Sequence, residues 1–165
     1  WKESDESFKP IIDLYNGHEP LAQGYVVKYT DQWCAAFVSA AAIKCGMTDI
    51  IPTECGCQRQ IGLFQELGTW EETDSTIPQP GDLIYYDWNM EKVGECTGWA
   101  DHVGIVVGTK WPFVKVVEGN YDDAVKERVI HHTNRQRNPE KQNEKEHQKM
   151  KHLHYIKICS RFLNT

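Results

Sequence analysis

The sequence predicts an α+β domain in which helices from the first half pack on an antiparallel sheet formed by the second half. Three observations carry this reading. The run Trp33 to Cys45, WCAAFVSAAAIKC, is rich in Ala and apolar nearly all round, as a buried helix is. After Pro78-Gln79-Pro80-Gly81 the texture changes to short segments of β-branched and aromatic residues. The helical segments all precede these strands, which fits a sheet built from successive hairpins. With 165 residues, 40% of them hydrophobic, the chain has material for one core, so residues 1–165 read as a single domain.

Each element has its own signal. Residues 1–16 form a short leading helix, with Pro10 suited to a first helical position and Gly17 to a stop. The helix from Trp33 to Cys45 is closed by Gly46. From Gln58 to Leu67 an amphipathic helix sets Ile61, Phe64 and Leu67 on one face, with Gly68 as its stop. Strands follow at 82–87, 102–108, 113–119 and 126–132. Between His131 and His154 the chain turns to Lys, Arg, Gln, Asn, Glu and His, which excludes it from a core and leaves a solvated helix or disorder. The segment from His154 to Leu163 regains enough apolar character for one terminal strand.

Charge and composition exclude several classes. A formal net charge of −6 argues against a nucleic-acid surface, which needs concentrated Lys and Arg. No apolar run approaches the roughly 18 residues of a membrane span. The start at Trp1 has neither an initiator Met nor a signal pattern, which says nothing about localisation. Six cysteines suggest a disulfide framework or a metal site. Yet Cys55-Gly56-Cys57 is not the ligand pair of a zinc ribbon, and no second close pair completes four ligands, so no metal and no cofactor is expected. Five of the seven histidines lie between His131 and His154 and are read as solvated surface.

Chemistry concentrates at Cys34. A cysteine in the first turn of a helix has its thiolate favoured by the helix dipole, and Asp31 is placed to cap that helix. By residue type alone, Cys34 reads equally as a small buried side chain. The sheet adds a base. If 102–107 and 113–118 form a hairpin centred near Lys110, His102 stands directly opposite Glu118, and the carboxylate fixes the imidazole while its other nitrogen faces the thiol. Asn120, two residues on, steadies the same imidazole or polarises a substrate carbonyl. Tyr29 reads as a second oxyanion donor or as a packing aromatic. Trp33, Tyr85, Tyr86, Trp88 and Trp99 either line a substrate groove or belong to the core, and the loop from Asp87 to Asp101 is placed to gate the site.

Four blocks occur in order: Trp33-Cys34-Ala35-Ala36-Phe37-Val38-Ser39, Pro80-Gly81-Asp82-Leu83-Ile84-Tyr85-Tyr86, Asp101-His102-Val103-Gly104-Ile105-Val106-Val107, and Val117-Glu118-Gly119-Asn120-Tyr121 followed by Ala124-Val125. Together they resemble the CHAP domain, the papain-like, NlpC-related family of cysteine- and histidine-dependent amidohydrolases and peptidases. The resemblance covers about residues 11–131. It implies Cys34 as nucleophile, His102 as base, and Glu118 and Asn120 as supporting residues. It also implies a bacterial or phage enzyme, secreted or wall-associated and expected as a monomer, that cleaves peptidoglycan as an amidase or endopeptidase. The chain departs from the family pattern in two ways. The polar stretch 132–153 stands before an end that lacks a Gly-Tyr-Gly-like closing segment, and the carboxylates before Cys34, Asp13 and Asp31, are too few for the calcium site of some relatives. Two rival readings are an amidase or peptidase for a non-wall substrate and a non-catalytic wall-binding module.

Overall fold

The computed structural model describes residues 1–71, 76–87, 99–131 and 158–159. Helix α1 spans Lys9–Asn16, α2 Cys34–Cys45 and α3 Cys57–Glu66, and strands β1 to β6 span Trp70–Glu71, Leu83–Tyr86, His102–Lys110, Phe113–Glu118, Lys126–His131 and Ile158–Cys159. Strands β2-β3-β4-β5 make an antiparallel sheet in sequence order, while β1 and β6 pair antiparallel as a separate ribbon. The predicted α+β class and the helix-then-strand order both hold.

The helices follow their local signals closely. Pro10 lies in the first turn of α1 and Gly17 ends it. Gly46 closes α2 at φ 66°, a left-handed conformation that glycine adopts without a Cβ penalty. Two details differ. Trp33 is the residue before α2 rather than its first, and no side chain caps it, because Asp31 is already engaged. Its Oδ2 accepts from the Lys28 N–H and the Tyr25 hydroxyl, both at 2.8 Å. In α3, Ile61 and Phe64 are buried as predicted, but Leu67 caps the helix and is 54% exposed. β6 falls inside the predicted terminal strand and pairs with Trp70–Glu71, a strand the sequence did not announce. The polar stretch 132–153 and Trp88 lie outside the described residues.

Strand alternation builds two apolar layers. Leu83, Tyr85 and Val103 pack with Cys34, Ala35 and Val38 of α2 and Ile61 and Phe64 of α3. The alternate residues Ile84, Tyr86, Val106, Val114, Val116 and Ile130 form a second cluster on the other face. A third cluster joins Phe8, Ile12 and Tyr15 to Trp33 and Ala36, fastening α1 to α2. Each fully buried aliphatic or aromatic side chain of this kind stabilises the fold by about 1.5–3 kcal/mol.

The end of β4 passes very close to α2. A Cβ on Gly119 would lie 2.3 Å from the Phe37 Cβ, so no larger residue fits without moving strand or helix. Gly119→Ala is therefore expected to cost about 1–3 kcal/mol, measured as a lower denaturation midpoint. An unchanged midpoint would show that this contact does not fix the strand on the helix.

Candidate active site

The first residue of α2 is Cys34 and the first residue of β3 is His102. Both are buried, at 6% and 3% exposure. Their contact couples them. His102 is raised to about 9: burial opposes its charge, but the hydrogen bonds to Cys34 and Glu118 and the charges of both outweigh it. Cys34 is held well below the usual thiol value, first by a hydrogen bond from Cys57, against the cost of burial, then by His102 and the Ala35 N–H. The pair therefore favours a thiolate facing an imidazolium.

Glu118 stands behind the imidazole, its Oε1 lying 3.4 Å from His102 Nε2. The predicted register that was to place it there is not the observed one. Glu118 pairs with Gly104, not with His102, since the hairpin turns tightly through Trp111-Pro112 and an irregularity between Val106 and Gly108 shifts the ladder. His102 and Glu118 nevertheless share a face and meet on the diagonal, within reach of long side chains. Gly104 makes this possible. A Cβ there would come within 2.8 Å of Glu118 Cγ, so the carboxylate occupies space that any other residue would fill.

Glu118 is fully buried and accepts a forked pair of hydrogen bonds from Arg128, Nε to Oε2 and Nη2 to Oε1. Burial raises its pKa, but Arg128 first and His102 second hold it below the ordinary carboxylate value, so it stays charged. Arg128 in turn lies 3.8 Å over the Tyr121 ring, whose centroid is 6.1 Å from that of His102. Tyr86 pairs with His102 across β2 and β3, with ring centroids 5.7 Å apart. The result is a line of charged groups on the sheet, Arg128, Glu118 and His102, that ends at Cys34 on α2.

The CHAP domain family profile matches residues 24–120, well over half of the chain, and this range contains Cys34, His102, Glu118 and Asn120. The chain belongs to the CHAP domain family. No significant match is found among curated proteins or among solved structures. CHAP domains are typically cysteine- and histidine-dependent amidohydrolases of cell-wall peptidoglycan. No helix among the described residues of this CHAP domain is long and apolar enough to cross a membrane, and none of those residues form a cluster of three or more metal-ligating side chains.

Of the remaining candidates of the CHAP domain, Asn120 takes a different partner from the one expected, while Tyr29, Trp33, Tyr85 and Tyr86 take the packing alternative that the sequence left open. Asn120 adopts φ 57°, which ends the strand, and its Nδ2 donates to Gln32 Oε1 at 2.9 Å. Its amide thus holds the residue two before Cys34 instead of the imidazole. Tyr29 donates to Asp13 Oδ1 at 2.6 Å and packs edge-on against Phe8, so its hydroxyl serves the α1 junction. Trp33 is fully buried, stacked on Phe8 with its Nε1 donating to Glu3, and lines no groove. Tyr85 and Tyr86 are likewise buried, Tyr85 donating to Gln60 Oε1. Among the described groove candidates, Trp99 is the exposed one, at 75%.

Sequence reasoning missed Gly104, Arg128, Gln32 and Cys57. Arg128 had a readable signal, since it alternates with Lys126 and Ile130 on β5, but the pairing that lays it beside Glu118 was not derivable without the register. Cys57 begins α3, and its Sγ lies 3.6 Å from that of Cys34. Its position is fixed by Glu54, whose buried Oε1 accepts from the Cys55 and Gly56 N–H groups and from Arg59 Nε. Ser39 of α2 ties this turn down by donating to the Glu54 carbonyl and accepting from its N–H.

Proposed function

We propose that this CHAP domain is a cysteine amidohydrolase that cleaves an amide bond of peptidoglycan, at the stem peptide or cross-bridge, through a thioester on Cys34. The observation that carries the reading is Cys34 at the start of α2 interacting with His102 at the start of β3, backed by a buried, charged Glu118 3.4 Å from the imidazole. The thiolate attacks the amide carbonyl carbon, and the N–H groups at the start of α2 face the developing oxyanion. Gln32, two residues before Cys34 and held at its Oε1 by Asn120, is the candidate second donor to the same oxygen. His102 then protonates the departing amine. In the second half-reaction it takes a proton from water, which hydrolyses the thioester and restores the pair. Glu118 keeps the imidazole oriented throughout, and Arg128 keeps Glu118 ionised.

Mass analysis of the products from purified peptidoglycan tests the reading and names the bond. New amino and carboxyl termini in equal amounts are expected. An intact polymer after prolonged incubation with reduced protein would overturn it.

Glu118→Gln preserves shape and removes charge. Its kcat is expected to fall by about 10²-fold or more, with KM little changed. The alkaline limb of the pH–rate profile moves as well. His102 at about 9 lies above its ordinary 6.5, so the proton it holds stabilises the fold fully below 6.5, and that contribution is lost as the pH rises through 9. Without the Glu118 charge the folded value drops, and the alkaline limb is expected at lower pH. A profile identical to the parent's would separate Glu118 from the imidazole.

A further inference from the structure

Cys34 and Cys57 are the first residues of two different helices, and both side chains are buried. Their sulfurs, 3.6 Å apart, lie in contact with no atom between them. A disulfide needs about 2.05 Å between sulfurs, so closure requires an approach of only about 1.5 Å. The turn that carries Cys57 is pinned by Glu54 and Ser39, which keeps the second sulfur facing the first. A thiol used only for packing has no need of a reactive sulfur as its neighbour.

We propose that Cys57 is the resolving thiol of a modification site at the nucleophile: a disulfide-class oxidant converts Cys34 and Cys57 into an intramolecular disulfide that reversibly silences the enzyme. The regulatory meaning rests on Cys34 being the nucleophile of the proposed hydrolase, whereas formation of the bond does not.

The chemistry balances in two exchanges. The Cys34 thiolate attacks one sulfur of an oxidant R–S–S–R, forming Cys34–S–S–R and releasing R–S⁻. Cys57 gives up its proton and its sulfur attacks Cys34 Sγ, breaking the mixed disulfide and releasing the second R–S⁻. Overall the two protein thiols lose two electrons and two protons, and the oxidant becomes two thiols. Excess thiol reverses both steps.

The order of events follows from the two environments. Cys57 is held well above the usual thiol value, by its hydrogen bond to Cys34 and then by burial, so Cys34 is the sulfur that reacts first. Once Cys34 is in a mixed disulfide its negative charge is gone, and with it the main reason for Cys57 to keep its proton. The first R–S⁻ released takes the proton of the His102 imidazolium, and the neutral imidazole beside Cys34 then accepts the one that Cys57 gives up. A disulfide at Cys34 leaves no thiolate to attack a carbonyl.

The test uses oxidised glutathione as oxidant in a background with Cys45, Cys55, Cys96 and Cys159 each replaced by Ser, with reduction by excess dithiothreitol. Digestion with trypsin places Cys34 in the peptide 29–44 and Cys57 in 45–59, and mass spectrometry is expected to find these joined after oxidation. In the same background, Cys57→Ser is expected to stop at one glutathionyl group on Cys34. Hydrolytic activity of the parent is expected to fall by more than tenfold on oxidation and to return on reduction. A parent that keeps glutathione on Cys34, with no 34–57 linkage, overturns the proposal whatever its activity. Linkage in a protein whose reduced form leaves peptidoglycan intact supports the bond and overturns the hydrolase reading.

Discussion

Replacing Cys34 with alanine is expected to remove peptidoglycan clearing, with a loss of about 10³-fold or more, while the protein remains folded. The size of the effect follows from the mechanism. Without the sulfur there is no covalent intermediate, and neither His102 nor the helix start has a step to assist. The structural cost is small because one buried sulfur is deleted, not a large side chain, so circular dichroism and the thermal midpoint should stay close to the parent's. Clearing of a peptidoglycan suspension at a comparable rate by Cys34→Ala would remove Cys34 from the chemistry. Loss of clearing together with loss of fold would be uninformative, so Cys34→Ser serves as the paired variant, keeping the volume but not the thiolate.

Arg128→Met is expected to carry the largest stability effect at the site, about 3 kcal/mol. The cause is the carboxylate it leaves behind: Glu118 is fully buried, and the guanidinium supplies both of its forked hydrogen bonds. A buried carboxylate left with the His102 imidazolium but stripped of its forked donors is costly. Adding Glu118→Gln to Arg128→Met removes that charge, so the double variant should be more stable than Arg128→Met alone. Arg128→Lys retains the charge but not the planar fork and should fall between. Urea denaturation of the four proteins measures the cycle. A double variant less stable than Arg128→Met by the full cost of Glu118→Gln would mean that the two side chains act independently.

Legibility in the sequence varied with the range of the interaction. Helix stops at Gly17 and Gly46, the Ala-rich α2 and the alternating strands are local signals, and each was readable because dihedral preference and periodicity act over a few residues. The pairing of His102 with Glu118 was anticipated by a register argument whose register was wrong. It survived because a shift of two residues preserves the face, whereas a shift of one would have sent Glu118 to the other side of the sheet. Trp33 and Tyr29 were left between site and packing for a different reason. An aromatic beside a reactive cysteine looks like a groove residue until α1 is seen to cover it, and Phe8, Glu3 and Asp13 come from a segment whose docking left no mark on the sequence around Cys34.

The sequence by itself determined the class of fold, the order of its elements, and the places of the two proposed reactive groups, Cys34 at a helix start and His102 at a strand start. Only the tertiary structure decided what surrounds them. It put Gly104 beneath Glu118, Arg128 against its carboxylate, Asn120 on Gln32, and Cys57 against the sulfur of Cys34. The physical reason is that helix caps and strand periodicity are fixed by neighbours along the chain. Desolvated charges and touching sulfurs are fixed by residues far apart in sequence, brought together when α2, α3 and the sheet share one core.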